Sequence, residues 1–366
     1  MHALLLCLAF LPAAEGHRYS AFNGRDLAGW HERGCKAAVE DGLLVIKEGD
    51  GLLWFDHRLT DFELELDWKP RRAEQYDSGI YFRCELPPEG KPFPKRYQVN
   101  LKQNDEANLI GFKDGRSEGL VKPGAWNHLR LRVVGERATL ELNGKTAWDV
   151  TGIEPRDGLL GIQVEVPGGG EYEFKNIHIT ELGATSLFNG VDLTGWQGAG
   201  DDAAKCWLVE DGLLVCNGKK GPWLRSEKTY GDYNLRLEYK LKPGGNSGVY
   251  IRVPENGNHH GEDAGIEIQI LDDKAERYKD IKDYQYTGSL YAIVPASEHV
   301  GRPAGEWNSL EIDCRGTKYR VVHNGVTIID ADETKSAELA KRRTSGFLGL
   351  QNHSEHVWFR NVRVAE

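Results

Sequence analysis

The segment Phe62-Glu-Leu-Glu-Leu-Asp-Trp68 decides how this chain folds. Its apolar residues occupy every second position, so they share one face of an extended strand and leave the acidic residues on the other. Tyr233-Asn-Leu-Arg-Leu-Glu-Tyr239 repeats the pattern, and shorter versions occur at Leu140-Glu-Leu142 and Leu310-Glu-Ile-Asp-Cys314. This alternation is typical of antiparallel strands with one buried face, and it indicates an all-β protein.

Turn signals separate these strands. Gly and Asn accept the positive φ angles of tight hairpins, so each of the following dipeptides predicts a short turn: Asp41-Gly42, Asn143-Gly144, Asp211-Gly212 and Asn324-Gly325. Many short strands joined in this way favour a sandwich of two antiparallel sheets. Helix is scarce, and residues 332–341 are the best short candidate.

The chain contains an internal repeat. Phe22-Asn-Gly-Arg-Asp-Leu-Ala-Gly-Trp30 returns as Phe188-Asn-Gly-Val-Asp-Leu-Thr-Gly-Trp196, with seven of nine positions identical. Asp77-Ser-Gly-Ile-Tyr-Phe-Arg83 returns as Asn246-Ser-Gly-Val-Tyr-Ile-Arg252, and further matches keep the same order. The repeat therefore predicts two homologous domains in tandem, residues 17–183 and 184–366.

The N-terminus resembles a targeting segment. An apolar stretch from Ala3 to Leu11 is followed by the small residues Ala13, Ala14 and Gly16. This order is typical of a signal peptide, and the apolar stretch is too short to span a bilayer. We therefore expect residues 1–16 to be removed and the protein to be secreted or periplasmic.

Composition and cysteine spacing exclude several classes of protein. The 366 residues carry a net charge of −10, which argues against nucleic acid as a partner. No second long apolar stretch occurs, so we expect no integral membrane span. No Cys-x-x-Cys pair occurs, and a disulfide between Cys206 and Cys216, which flank a predicted turn, is left open. The sequence does not indicate the oligomeric state.

Taken together, the motifs resemble the 3-keto-disaccharide hydrolase family. Besides the two Phe-Asn-Gly openings, the second copy carries five further motifs of that family: Asn246-Ser-Gly-Val-Tyr-Ile-Arg252, Gly265-Ile-Glu-Ile-Gln-Ile-Leu-Asp272, Thr287-Gly-Ser-Leu-Tyr291, Gly305-Glu-Trp-Asn308 and Gly346-Phe-Leu-Gly-Leu-Gln-Asn-His353, which runs into Val357-Trp-Phe-Arg-Asn361. The resemblance covers nearly the whole chain after residue 16, twice. It implies two tandem concanavalin A-like jelly-roll sandwiches and activity on 3-keto-glycosides.

The two copies differ at polar positions. Four residues of the second copy, Glu267, Gln269, Asp272 and His353, correspond to Gln98, Asn100, Gln103 and Glu165 in the first, whereas Gln351 is kept as Gln163. Because side chains alternate along a strand, Glu267 and Gln269 point away from the apolar face of Ile266, Ile268 and Ile270. We therefore expect an active second domain and a degenerate first domain.

The reaction implied by the resemblance suggests roles for these residues. A 3-keto group acidifies the C2 hydrogen, a base removes it, the C1 substituent leaves by β-elimination, and water then adds to the product. Glu267 or His353 is the candidate base, and Arg252, Tyr291 or a divalent cation such as Ca²⁺ would stabilise the enolate. Glu267, Asp272 and His353 are candidate ligands of that cation.

The remaining motif residues are candidates for substrate binding: Gln269, Asp272, Gln351, Asn246 and Tyr250. Arg252, Glu267, Gln269 and His353 are expected in one cleft of the second domain. Trp30 and Trp196 are expected in the cores, while Trp223 has the better claim to exposure. The pair His259-His260 lies in a polar loop and is expected to be solvated or at the rim of the site.

Two other functions fit the same fold class. A non-catalytic carbohydrate-binding protein of two lectin-like sandwiches is the main alternative, because such folds serve both purposes. A retaining β-glucanase would resemble Glu-x-Asp-x-x-Glu on one strand. The second Glu is missing after both Glu65-Leu-Asp67 and Glu311-Ile-Asp313, so we reject that class.

Overall fold

The computed structural model describes residues 16–366 and confirms the all-β architecture. The strands of the first domain are β1 (Gly16–Ser20), β2 (Trp30–Glu40), β3 (Leu43–Leu59), β4 (Phe62–Pro70), β5 (Gly79–Cys84), β6 (Gln98–Asn100), β7 (Asn127–Val134), β8 (Arg137–Leu142), β9 (Lys145–Thr151), β10 (Gly158–Glu165) and β11 (Tyr172–Leu182). Strand β1 begins at Gly16, the last residue of the predicted signal segment; the rest of that segment lies outside the described residues.

The strands of the second domain are β12 (Thr185–Ser186), β13 (Trp196–Gly198), β14 (Trp207–Glu210), β15 (Leu213–Asn217), β16 (Leu224–Tyr230), β17 (Tyr233–Leu241), β18 (Asn246–Val253), β19 (Ile266–Leu271), β20 (Asn308–Arg315), β21 (Lys318–His323), β22 (Val326–Ala331), β23 (Gly346–Leu350) and β24 (His356–Ala365). The four dipeptide turns lie where they were predicted, and their glycines have φ between 75° and 79°.

Helix is confined to single 3-10 turns within residues 16–366: Val166–Gly168, Ala203–Lys205, Glu276–Tyr278, Asp283–Gln285 and Leu339–Lys341. The helix predicted over residues 332–341 is therefore wrong except for its last three residues. The Asp332 carboxylate accepts a hydrogen bond from the Thr334 backbone N–H at 2.9 Å, which closes a local turn instead. None of the helices among residues 16–366 has the length and apolar character needed to cross a bilayer.

The sheets differ between the domains. In the first domain the strands join into one sheet, because the long strand β3 pairs with β11 near one end and with β10 near the other. In the second domain the corresponding region is divided between β15 and β16, and two sheets result. One has the order β14-β15-β24-β17-β20-β21-β22, and the other has the order β13-β16-β23-β18-β19.

The repeated Phe-Asn-Gly motif builds the core rather than a site. Trp30 and Trp196 are both 6% exposed, which confirms their predicted packing, and their indole N–H groups donate to the carbonyls of Ala21 and Leu187. The Asn189 side chain accepts hydrogen bonds from the next turn of backbone at 2.8 and 3.0 Å. The motif therefore anchors the entry of each domain.

The two domains meet through buried charges. Glu181, on β11, accepts hydrogen bonds from Tyr19 at 2.9 Å, Arg236 at 2.6 Å and Arg363 at 3.0 Å. Burial by itself would raise the pKa of Glu181, but the two arginines of the second domain hold that pKa well below its usual range. The contact thus joins the domains by paired rather than isolated charges.

The cysteines among residues 16–366 are free and buried. The disulfide left open between Cys206 and Cys216 does not form. Strand register explains this, because Cys216 lies opposite Trp207, one position away from Cys206.

Candidate active site

The five-stranded sheet of the second domain presents one apolar and one polar face. Strand β19 buries Ile266, Ile268 and Ile270 in the core, so its intervening side chains project from the other face. Register places Tyr250 opposite Glu267. The polar face of β18 and β19 therefore carries the predicted carboxylate.

Glu267 is held from two sides and is only 4% exposed. The Gln351 amide nitrogen donates to Glu267 Oε1 at 2.8 Å and to the Tyr250 hydroxyl oxygen at 3.1 Å. His259 Nε2 lies 3.1 Å from the second carboxylate oxygen. We call Glu267, Gln351, Tyr250, His259 and Trp223 the Glu267 cluster.

His259 is positioned as a cation. Its Nδ1 lies 3.1 Å from the Gly257 carbonyl oxygen, and its Nε2 faces Glu267, so both ring nitrogens meet acceptors. Although burial opposes the charge, the hydrogen bonds to Glu267 and Gly257 raise the pKa of His259. Burial and the neighbouring His259 lower the pKa of His260.

Aromatic rings surround the carboxylate. The Trp223 ring meets Tyr250 edge-on at 5.2 Å between centroids, and His259 stacks on Tyr250 at 4.9 Å. Trp223 lies against Gly349, where any side chain would overlap its indole. Apolar rings beside a polar group are typical of carbohydrate sites, and Trp223 is partly exposed as predicted.

A glycine also lies beneath the carboxylate. A Cβ at Gly248 would lie 2.5 Å from Glu267 Oε1. The Ser-Gly motif of the sequence therefore makes room for the carboxylate to lie on the sheet.

Several predicted site residues lie together. Gln351 and Tyr250 contact Glu267 or each other, and Gln269 projects from the same face of β19. Asn246 starts β18 opposite Leu271. The Tyr291 backbone N–H donates to the Glu267 carbonyl at 2.9 Å, and its ring centroid lies 6.2 Å from that of His260.

Arg252 does not join them. Its guanidinium donates to the carbonyls of Gly231 at 2.8 Å and Gly316, and to the Asp232 carboxylate at 3.0 Å. A β-bulge between Tyr250 and Val253 turns the side chain away from the polar face. The predicted catalytic role of Arg252 is corrected to a structural one, in which it ties two loops to the sheet.

Asp272 and His353 also lie apart from the cluster. Asp272 Oδ2 accepts a hydrogen bond from the Gly244 backbone N–H at 2.7 Å. His353 is exposed in the loop after β23 and makes no side-chain hydrogen bond to any residue in the described part of the chain. The three suggested cation ligands are thus not brought together, and within residues 16–366 no group of three or more His, Cys, Asp or Glu side chains is arranged to hold a metal ion.

His259 is the residue whose role sequence reasoning missed. The signal was the loop that precedes β19, because His259-His260 occurs there and the corresponding residues 85–97 of the first copy contain no histidine. A solvated loop was the simpler interpretation of that pair. Only the fold shows that the loop turns back over Glu267.

The corresponding face of the first domain is closed by apolar side chains. Leu52, Trp54, Tyr81, Cys84 and Leu159 form a buried cluster there. Gln98, in the position of Glu267, donates to Gln163, so an amide pair replaces the carboxylate and imidazole. The carboxylate nearest to this pair is Glu165, which accepts a hydrogen bond from Gln163 at 2.6 Å, so the first domain has an acid at a different position and no imidazole beside it.

Comparison with known proteins identifies the family of this chain. The family model described as a 3-keto-alpha-glucoside-1,2-lyase-like domain matches residues 18–180 and again residues 183–365. The chain belongs to this family. It carries two tandem copies of the family's domain, as predicted from the repeat.

Several individual proteins are similar to part of this chain. A 3-keto-disaccharide hydrolase from Bacteroides thetaiotaomicron is 28% identical over 230 residues, covering 50% of this chain and 78% of that protein. A Parabacteroides distasonis structure described as a candidate glycosyl hydrolase is 28% identical, with a TM-score of 0.43 over 50% of this chain and 93% of its own. A second from that organism is 26% identical, with a TM-score of 0.44 over 50% and 98%. The family and the name of the Bacteroides relative support a carbohydrate-processing enzyme of the hydrolase type.

Proposed function

We propose that the second domain cleaves 3-keto-glycosides by removing the C2 proton, eliminating the C1 substituent and adding water. The observation that carries this proposal is the buried Glu267 carboxylate, paired with the His259 imidazolium and oriented by Gln351. A carboxylate oriented beside a cation and aromatic rings suits proton abstraction next to a carbonyl.

Glu267 is the base in this proposal. Because His259 covers the carboxylate, its imidazole moves aside as the substrate enters. Glu267 then contacts the C2 hydrogen in place of the imidazole. The Tyr250 hydroxyl accepts its hydrogen bond from Gln351, so its own proton is free to be donated to the 3-oxygen as negative charge develops. Burial raises the pKa of Tyr250, which keeps this donor protonated.

His259 supplies the second proton transfer. As the C1–O bond breaks, the imidazolium donates its proton to the departing oxygen and becomes neutral. Neutral His259 then takes a proton from the water that adds to C1, while Glu267 returns its proton to C2. The net change is one glycosidic bond broken and one water consumed, with both groups restored.

Unpartnered acceptors support a sugar as the substrate. Gln351 Oε1 and Asn246 Oδ1 are buried and accept no hydrogen bond from residues 16–366. Buried acceptors without partners are costly unless a ligand satisfies them. Sugar hydroxyls are donors of the required kind.

A product assay with 3-keto-trehalose tests the proposal. We expect the wild-type protein to release glucose, and His259→Gln to release it at least about 10²-fold more slowly, because general acid–base groups contribute at this level. Binding of the keto-sugar without turnover by the wild type would instead favour the carbohydrate-binding alternative.

We also propose that the protein acts outside the cytoplasm, on the basis of the N-terminal segment alone. Expression of the full chain in a bacterial host, followed by N-terminal sequencing of the protein from the periplasm or medium, tests this. A mature N-terminus between residues 13 and 17 is expected, and a cell-associated protein that retains residue 1 would contradict it.

A further inference from the structure

A cavity lies in the same domain, away from the Glu267 cluster. It has a volume of about 200 Å³ and is lined by residues that include Asp272, Asp273, Tyr286, His299 and Arg302. None of the Glu267 cluster lines it. We call it the β19-end cavity, since Asp272 directly follows that strand.

Its carboxylates are anchored by one oxygen and free at the other. Asp273 Oδ1 accepts hydrogen bonds from the backbone N–H and the hydroxyl of Thr287, each at 3.0 Å. Asp273 Oδ2 accepts none from residues 16–366, and it faces Gly301, where no side chain fills the space. Asp272 is likewise held by one oxygen, through Gly244. Rigid carboxylates with a free oxygen are good acceptors for hydroxyl groups.

An aromatic pair forms another wall. The rings of Tyr286 and His299 lie 4.1 Å apart between centroids. Neither side chain makes a hydrogen bond within the described part of the chain, so the phenol and the imidazole are available to a ligand. Ring faces beside hydroxyl acceptors match a molecule that has both C–H and O–H surfaces.

The cavity is lined by a segment that is longer in the second copy than in the first. The segment from Asp272 to Asn308 spans 36 positions, whereas the matching segment from Gln103 to Asn127 spans 24. The additional length precedes Leu290, because Leu290 bridges Ile268 as Leu109 bridges Val99 in the first copy, and it includes Tyr286. The first domain has Gln103 and Asn104 in place of the two aspartates.

We propose that the β19-end cavity binds a single neutral sugar unit. In the lining, Asp272 and Asp273 are balanced by Lys274 and Arg302, which favours a ligand without net charge. The absence of a three-ligand His, Cys, Asp or Glu group within residues 16–366 disfavours a metal ion. The volume is below that of sites for drug-sized ligands, about 300–1,000 Å³, and suits one ring. This proposal does not depend on the reaction assigned to Glu267.

The test is a titration of the full chain with D-glucose, followed by NMR of the His299 ring protons, which are assigned with His299→Gln. We expect a saturable shift of the His299 signal. Asp273→Asn should weaken the apparent affinity on the order of tenfold, because a charge-assisted hydrogen bond is lost. Glu267→Gln should leave the titration unchanged.

Three results would overturn the proposal. One is a His299 signal that does not move with glucose, and another is an Asp273→Asn titration that matches the wild type. The third is an equal shift with glycerol at the same concentration, which would mean an unspecific polyol effect. Because Asp273 also holds Thr287, Tyr286→Ala serves as a second variant and should weaken binding as well. Loss of keto-sugar cleavage with glucose binding intact would contradict only the proposed function.

Discussion

Glu267 combines a charge with near-complete burial, and its neighbours make this tolerable. Gln351 and His259 occupy its two oxygens, so the carboxylate has partners on both sides before any substrate arrives. We predict that Glu267→Gln lowers cleavage of a 3-keto-glycoside by about 10²–10⁴-fold, measured as initial rates. The matched control is Gln98→Ala at the same position of the first domain, which should keep the wild-type rate.

The charge of His259 predicts how stability depends on pH. Because its pKa is raised in the folded protein from the ordinary 6.5, the ion pair with Glu267 stabilises the fold fully below that value. This contribution is lost as the pH rises through the folded pKa. Thermal melts should therefore show that the advantage of wild type over His259→Gln shrinks above pH 6.5. Arg342, which also faces this loop, stays charged throughout. An advantage that grew with pH would contradict the assignment.

Arg252 shows the limit of sequence reasoning for single residues. Its place in the motif suggested a catalytic cation, yet the bulge after Tyr250 turns it towards Asp232. The sequence already indicated a structural role. The first copy keeps an arginine at this position, Arg83, although it has no counterpart of the Glu267 carboxylate or the His259 imidazole. Arg83 makes the equivalent bonds to Thr60 and Asp61. An arginine shared by both copies is better explained by the fold than by the reaction.

At the scale of the strands, glycines create the floor of the site. A methyl group at Gly248 would collide with the Glu267 carboxylate, which can move because it ends a flexible side chain. We predict that Gly248→Ala folds but loses most activity, with a melting temperature within a few degrees of wild type. The control is Gly79→Ala, whose methyl group would meet Gln98 in the same way in the first domain. Equal activities of the two variants would contradict this account.

Most strands could be predicted because alternation and turn dipeptides act locally. Strand register could not, since it depends on bulges that the pattern does not reveal. For this reason the sequence could not decide whether Cys206 and Cys216 form a disulfide. In the structure the two cysteines are one position out of register. The turn at residues 332–334 is a second feature that the pattern does not reveal. There the Asp332 side chain accepts a hydrogen bond from the backbone, and a turn forms in place of the predicted helix.

At the scale of the whole molecule, the domains depend on Glu181. Replacing it with Gln leaves Arg363 buried without its charge partner and Arg236 with Glu311 alone, and breaking a buried pair costs about 3–5 kcal/mol. We predict that Glu181→Gln separates the unfolding of the two domains into distinct calorimetric transitions. Glu85→Gln, which breaks an exposed pair with Arg58, should change stability by less than about 1 kcal/mol. A single unshifted transition for Glu181→Gln would contradict a coupling role.

The repeat could be predicted from the sequence, but this contact could not. Glu181, Arg236 and Arg363 occupy polar positions of alternating strands, which are ordinarily solvated. They are buried only because the two domains face each other there. The asymmetry between the copies is the more reliable signal, since the amino-acid sequence alone distinguishes Glu267 from Gln98 at matching positions.

In the proposed reaction, Glu267 removes the C2 proton of a 3-keto-sugar. The most direct test of this step is proton NMR of 3-keto-trehalose in D₂O, following loss of the C2 hydrogen signal against a sample without enzyme. Wild type and Gln98→Ala should accelerate this exchange, whereas Glu267→Gln should leave it near the uncatalysed rate. Exchange by Glu267→Gln at the wild-type rate, or glucose release by the wild type without exchange or elimination at C2, would contradict the account.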